Sequence, residues 1–225
     1  MSNKPIVSHF DGNRYTYVCD YLKGLETEKP LVVADVGAGS SIVREECEND
    51  RLQFHEFDLQ PKCSRVMQWD IEQPCPKKIN ADIVILMDVI EHLWNPGLGI
   101  GHLRDILRPN GTLLLSTPNP SWSRARVQFP FRSTIPCFTK NDLSSNHHVF
   151  TPWHHILLEL LHKNGFFVEQ HVTLESKLGY PKLKPFWSLP PRSLAFFAAK
   201  AIERHNPSAL GINYLLVAHK QKQAA

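Results

Sequence analysis

Two near-continuous apolar runs, LVVADV (31–36) and ADIVILMD (81–88), constrain this chain more than any other feature. A strand that is apolar at almost every position must be covered on both faces, which is the condition inside a parallel sheet flanked by helices. Segments 52–58 (LQFHEFD), 66–69 (VMQW), 112–116 (TLLLS), 166–172 (FFVEQHV) and 212–220 (INYLLVAHK) read as five further strands. Segments 9–24, 99–107 and 151–166 read as helices; the last carries Ile156, Leu157, Leu160 and Leu161 on one face and closes at Gly165. Strand and helix alternating at this spacing predict an α/β fold, a doubly wound and mostly parallel sheet. One crossover is short: Val66 follows Asp58 by eight positions, where a parallel connection takes about a dozen residues or more. The intervening helix is therefore expected to be a stub, or the third strand to be displaced.

Two stretches break the alternation. Residues 117–150 hold Pro118, Pro120, Pro130 and Pro136, and residues 174–208 hold Pro181, Pro185, Pro190 and Pro191 beside the apolar segment SLAFFAAKAI. Both follow late strands, where ligand-facing insertions belong. The 225 residues are expected to form a single domain, 1–225, with these insertions making its acceptor side. The net charge of +3, with no run of like charges, does not suggest nucleic acid as a partner. Five scattered cysteines without a C-x-x-C pair predict neither a disulfide framework nor a zinc knuckle, and a reducing cytoplasmic setting. The N-terminus has no apolar signal segment, and no run is long enough to cross a membrane.

Ligands of open α/β sheets bind beyond the carboxyl ends of the strands. The first such end reads Asp35-Val36-Gly37-Ala38-Gly39-Ser40. A dinucleotide fingerprint needs a third glycine at position 42, where this chain has Ile42, so a pyrophosphate is not expected. No G-K-[ST] follows, which excludes a P-loop. Two glycines still leave bare backbone for a nucleoside with a short polar tail. Asp58 lies 19 residues after Gly39, at the end of the second strand, where a carboxylate can accept from two ribose hydroxyls. Asp70 and Asp88 end the next two strands, and Asp70 could accept from an adenine amino group.

On these motifs the chain resembles class I S-adenosylmethionine-dependent methyltransferases over nearly its whole length. VVADVGAGSS is similar to their glycine motif, FDLQP to their ribose segment and WDIEQP to their adenine segment. ADIVILMDVIEHLWNP, LRPNGTLLLSTPN and HHVFTPWHHILLELLHKNGF resemble a subgroup that includes the ubiquinone-biosynthesis O-methyltransferases. The resemblance implies a Rossmann-like sheet of seven strands, the last antiparallel. It implies S-adenosylmethionine as cofactor and S-adenosylhomocysteine as product, and no divalent metal. Carried over by motif, Asp35, Gly37 and Gly39 surround the methionine part, Asp58 holds the ribose and Leu59 packs on adenine. Asp70 and Ile71 meet the adenine edge, and Asp88 and Val89 line the site near the sulfonium. Ser40 and Asn110 stand where relatives carry glycine.

Methyl transfer to oxygen needs orientation and a base. His92 and His148 are the candidate catalytic bases, because imidazole titrates in the right range. A structural role for His92, in the turn after the fourth strand, competes with this. Asp88, Glu91, His92 and His148 together also resemble the metal set of small-RNA 3′-terminal 2′-O-methyltransferases, with Asp in place of the first Glu; mixed oxygen and nitrogen ligands would suit Mn²⁺ or Mg²⁺. Aromatic residues of the insertions, Trp122, Phe129, Phe131, Phe138, Phe186, Trp187, Phe196 and Phe197, are expected to wall an apolar acceptor pocket or to pack the insertions on the core. SLAFFAAKAIERH reads as a cap over the site, with room for a weak membrane-surface contact. The expected reaction is O-methylation of a small molecule, a quinone precursor or a sugar. The alternatives are the metal-dependent RNA enzyme and a cofactor-binding module without turnover. The acceptor's identity and the oligomeric state are not legible.

Overall fold

The computed structural model of the protein describes residues 4–47, 49–175 and 191–222. Eight strands form one sheet: β1 (Ile6–Phe10), β2 (Leu31–Val36), β3 (Leu52–Asp58), β4 (Met67–Gln68), β5 (Ala81–Met87), β6 (Leu107–Pro118), β7 (Phe166–Leu174) and β8 (Asn213–Lys220). Their order is β1-β7-β8-β6-β5-β2-β3-β4, and every pairing is parallel except those of β8 with β6 and β7. The helices are α1 (Arg14–Lys23), α2 (Ile42–Cys47), α3 (Pro96–Ile106), α4 (Ser123–Arg132), α5 (Lys140–Asn146), α6 (His154–Lys163) and α7 (Pro191–His205). The fold class predicted from the apolar runs is the one observed, and the last strand is antiparallel, as the family resemblance implied. β2 and β5 lie side by side in the middle of the sheet, and Val33, Ala34, Val84, Ile85 and Leu86 are fully buried, so the runs do lack a wet face.

Several boundaries differ from the sequence reading. The expected helix over 9–24 is a strand followed by a helix. His9 and Phe10 end β1, and Asn13 caps α1 by accepting from the Thr16 amide. β1 pairs with β7 and adds an eighth strand to the seven expected. Apolar periodicity could not separate the two because Phe10 packs edge-on against Tyr17 of α1, so strand and helix share one apolar patch. RPNG does not end an element. It lies within β6 as a bulge between the pairs Ala81–Leu107 and Ile83–Thr112, with Asn110 at φ +62°. The short crossover after Asp58 contains no helix, and β4 is reduced to two residues at the sheet edge.

The core has two layers, one on each face. On one, Leu103, Leu157 and Leu161 from α3 and α6 pack on β5, β6 and β8. On the other, Val18, Leu22 and Val43 from α1 and α2 pack on β2, β5 and β7. The second layer holds a correction to the cysteine reading: Cys19 of α1 and Cys47 of α2 are both buried and joined as a disulfide. Spacing could not foretell this pair, because the two helices meet only through the tertiary fold. Cys63, Cys75 and Cys137 are free. Of the two insertions, the first forms α4 and α5, and α7 of the second packs on α4. Phe186 and Trp187 lie outside the described residues. Among the described residues no helix is long and apolar enough to cross a membrane.

Candidate functional site

The glycine turn follows β2 and is latched to the end of β3. Phe57 offers its carbonyl to the Gly37 and Ala38 amides at 2.8 and 3.0 Å. The Asp58 carboxylate accepts from the Gly39 amide with one oxygen and from the Gln60 amide with the other, both at 2.8 Å. Gly37 and Gly39 have φ of +81° and +54°, the left-handed region that glycine occupies without cost. A Cβ on Gly37 would stand 2.3 Å from Val89 Cγ2, so this glycine lets the turn touch the segment after β5. A Cβ on Gly39 would meet nothing within 4 Å among the described residues. That opening, beside the half-buried Asp58, is bare backbone facing free space.

Beneath the turn, Asp35 is buried and its Oδ2 has no hydrogen-bond partner among the described residues. Burial first, then the neighbouring Glu56 and Asp58 carboxylates, push its pKa up to about 7. Glu56 stands beside it in register and is held by Arg44 at 3.0 Å and Arg65 at 3.5 Å. A buried carboxyl with a free oxygen, close to an open turn, is the arrangement that receives an ammonium group. Leu59 is 56% exposed at the rim, Asp70 is exposed, and Ile71 is buried with its carbonyl bound to His102 Nδ1 at 2.8 Å. The carboxyl ends of β2, β3 and β4 thus carry a buried acid, a ribose-type acid and an exposed acid in a row. This donor set fits a nucleoside with an amino-acid tail.

The segment after β5 is built differently. Asp88 has φ +52°. Its carboxylate accepts from Ser116 Oγ at 2.7 Å and pairs with Arg14 of α1 at 3.0 Å. Asp88 is therefore engaged by the protein on both oxygens. Glu91, in the short 3-10 turn Ile90–His92, is almost fully buried and accepts from Thr117 Oγ1 at 3.0 Å. Burial, then Asp88, raise its pKa to about 8. The Glu91 carbonyl accepts the Val149 and Phe150 amides, which brings the segment after α5 over this turn. His92 and His148 consequently meet edge to face, ring centres 4.8 Å apart. Nδ1 of His148 lies 2.5 Å from the Cys137 carbonyl; a carbonyl only accepts, so Nδ1 carries a proton and Nε2 is the nitrogen left for a proton or a metal in the neutral ring. Burial, then His148, lower the His92 pKa, so His92 is neutral near pH 7. The ligand atoms of Glu91, His92 and His148 lie within 4.8 Å of one another. Asp88, which the sequence placed with them, is not part of that cluster.

The turn, the strand-end acids and the fold point to one family. Residues 10–173 match a sequence profile described as a methyltransferase domain. The chain belongs to the class I S-adenosylmethionine-dependent methyltransferases. Among proteins similar to this methyltransferase is one from Mycolicibacterium smegmatis, named "Probable S-adenosylmethionine-dependent methyltransferase/", 35% identical over 100 residues, 44% of this chain and 33% of that protein. Another is the ubiquinone biosynthesis O-methyltransferase of Bradyrhizobium sp., 28% identical over 44% of this chain and 45% of that protein. The match covers less than half the length of either relative. Among solved structures, an S-adenosylmethionine-dependent methyltransferase from Archaeoglobus fulgidus is similar with a TM-score of 0.62 at 17% identity, covering 92% of this chain and 91% of that one. The magnesium protoporphyrin IX methyltransferase of Synechocystis, crystallised with S-adenosylhomocysteine, has a TM-score of 0.57 at 16% identity, covering 92% and 82%. S-adenosylmethionine is the cofactor of this family, as the motifs implied.

Arg14, Glu56 and Thr117 were missed by the sequence reading. Each acts on a predicted residue through the tertiary fold: Arg14 on Asp88, Glu56 on Asp35 and Thr117 on Glu91. The local sequence around Arg14, DGNRY, signals only a helix start. Glu56 alone had a readable signal, since it sits two residues before Asp58 on the same strand and faces the same side.

Proposed function

We propose that this methyltransferase transfers a methyl group from S-adenosylmethionine to an oxygen of a small-molecule acceptor, such as a quinone precursor or a sugar. The observation that carries the reading is the glycine turn clamped by Asp58 over the unpartnered carboxyl of Asp35. Asp35, Gly37 and Gly39 take the methionine part, Asp58 the ribose, and Leu59, Asp70 and Ile71 the adenine. Val89 closes the site from the side of β5, and Asp88, tied to Arg14 and Ser116, fixes that wall. When bound, the cofactor supplies a sulfonium methyl whose C–S bond breaks, its electrons going to sulfur, as the acceptor oxygen bonds to the carbon. His92 or His148 takes the hydroxyl proton: burial holds the His92 pKa below its ordinary value, and the Cys137 carbonyl on Nδ1 of His148 leaves Nε2 as the nitrogen that can act as base. The chain acts as one domain, 1–225, whose insertions 117–150 and 174–208 present the acceptor.

A second reading is metal-dependent 2′-O-methylation at an RNA 3′ terminus. The convergence of Glu91, His92 and His148 favours it, and the Cys137 carbonyl on His148 is the outer partner that a metal-binding imidazole uses. Calorimetry with S-adenosylhomocysteine tests what the two readings share, and calorimetry with Mn²⁺ separates them. Wild type is expected to bind at micromolar level, and Asp58→Ala more than about tenfold more weakly, since both hydrogen bonds to a charged acceptor are lost. No binding to wild type overturns the methyltransferase reading. Mn²⁺ binding that disappears in His148→Ala promotes the RNA reading over the small-molecule one.

A further inference from the structure

We infer that the methyl acceptor is an aromatic carboxylate, held in the cavity under α4 with its acid group on Arg126. This rests on the methyltransferase reading above and specifies its acceptor. The cavity encloses about 480 Å³, within the range of sites that take small ligands. Ser121 lines it, three residues after Pro118 ends β6, and Trp153 and His155 line it from the start of α6. Both walls continue segments that build the Glu91–His92–His148 cluster. Thr117 of β6 binds Glu91, and Trp153 is five residues beyond His148. The cavity and the candidate bases thus draw on the same two stretches of chain, the one after β6 and the one entering α6.

Its lining selects a ligand. Phe129, Ile135 and Trp153 offer flat apolar surface, and α4 turns Arg126 and Phe129, three residues apart, onto the same side. Planar rings favour such walls through stacked and edge contacts. Arg126 is exposed, and its guanidinium makes no ion pair or hydrogen bond to any described residue. The chain contains no Asp or Glu between Asp105 and Asp142, so α4 carries no acid to neutralise it. Glu203 of α7, the helix packed on α4, is taken by Ser123 and Lys200. The first turn of α6 has no side-chain cap, so the positive end of that helix adds to the same field beside Trp153. A guanidinium at the mouth of an aromatic cavity matches a carboxylate, which it binds through two parallel hydrogen bonds.

The test uses the full chain saturated with S-adenosylhomocysteine, titrated calorimetrically with 3-hydroxy-2-naphthoate and with its neutral amide. The carboxylate is expected to bind at least about tenfold more tightly than the amide, the ratio that hydrogen bonds to a charged group supply. Arg126→Gln is expected to bring the two probes to about equal affinity and to leave S-adenosylhomocysteine binding unchanged. Phe129→Ser, at a half-exposed position, is expected to weaken both probes alike. Equal affinity for the two probes in wild type overturns the inference. So does a carboxylate preference that survives Arg126→Gln, or no binding of either probe. If S-adenosylhomocysteine binds while the probes do not, the acceptor inference alone fails; if S-adenosylhomocysteine does not bind, the methyltransferase reading fails with it.

Discussion

The two glycines of the first turn do different work, and substitution separates them. In Gly37→Ala the new methyl would collide with Val89, and φ of +81° adds strain, so both folding and ligand binding should suffer. In Gly39→Ala only the left-handed backbone costs anything, about 1–2 kcal/mol, because none of the described residues lies within 4 Å of the new carbon. We expect Gly39→Ala to fold and to lose at least about tenfold in S-adenosylhomocysteine affinity, measured by calorimetry beside a thermal melt. A folded Gly39→Ala with wild-type affinity would place the cofactor elsewhere. Asp35 makes a separate prediction. Its native pKa of about 7 lies above its ordinary value, so the native state holds this proton more tightly than the unfolded chain. The resulting stability is fully present below about pH 4 and is lost as pH rises through 7. Denaturant titrations at pH 5.5 and 8 should show wild type weakening with pH, and Asp35→Asn weakening less. Gly37, Gly39, Asp35 and Asp58 were legible because turn chemistry and strand-end spacing are local. Arg14 and Thr117 were not, because each meets its partner across at least 26 residues of chain.

The buried runs of β2 and β5, and the leucine face of α6, were legible because burial on both faces or on one stripe leaves a period in the sequence. β1 and the bulge in β6 left none. β1 exposes four of its five residues and reads as neither strand nor helix by hydropathy. RPNG has turn composition, yet β6 absorbs it, because the Ala81–Leu107 pair restarts the ladder on the far side of the bulge. The disulfide between α1 and α2 closes a loop of 28 residues in sequence separation. Such a loop contributes about 3 kcal/mol of stability through the restricted unfolded chain. We expect dithiothreitol to lower the midpoint of thermal unfolding of wild type and to leave Cys19→Ser unchanged. Equal melting of wild type with and without reductant would mean that the two thiols are adjacent but not joined. α1 also carries Arg14, so this link joins the helix behind the glycine turn to the helix that holds Asp88.

On the proposed function the sheet divides its labour along its width: the cofactor side uses the ends of β2, β3, β4 and β5, and the acceptor side the segments after β6 and the start of α6. Hydrogen exchange followed by mass spectrometry should report that division. S-adenosylhomocysteine is expected to slow exchange at 37–41, 58–60, 70–72 and 88–91 and to leave α4 unchanged. Protection centred on α4 instead would reverse the assignment of the two sides. The far edge of the sheet has a consequence for synthesis. His9 in β1 meets Thr173 in β7, 164 residues further along the chain. At roughly 5–20 residues per second, a ribosome takes about ten to thirty seconds to cover that distance. Throughout that interval β1 has emerged without a partner, while β2, β3, β4 and β5 already can pair with one another. A nascent chain of this protein therefore closes its cofactor side first and recruits its earliest strand among the last.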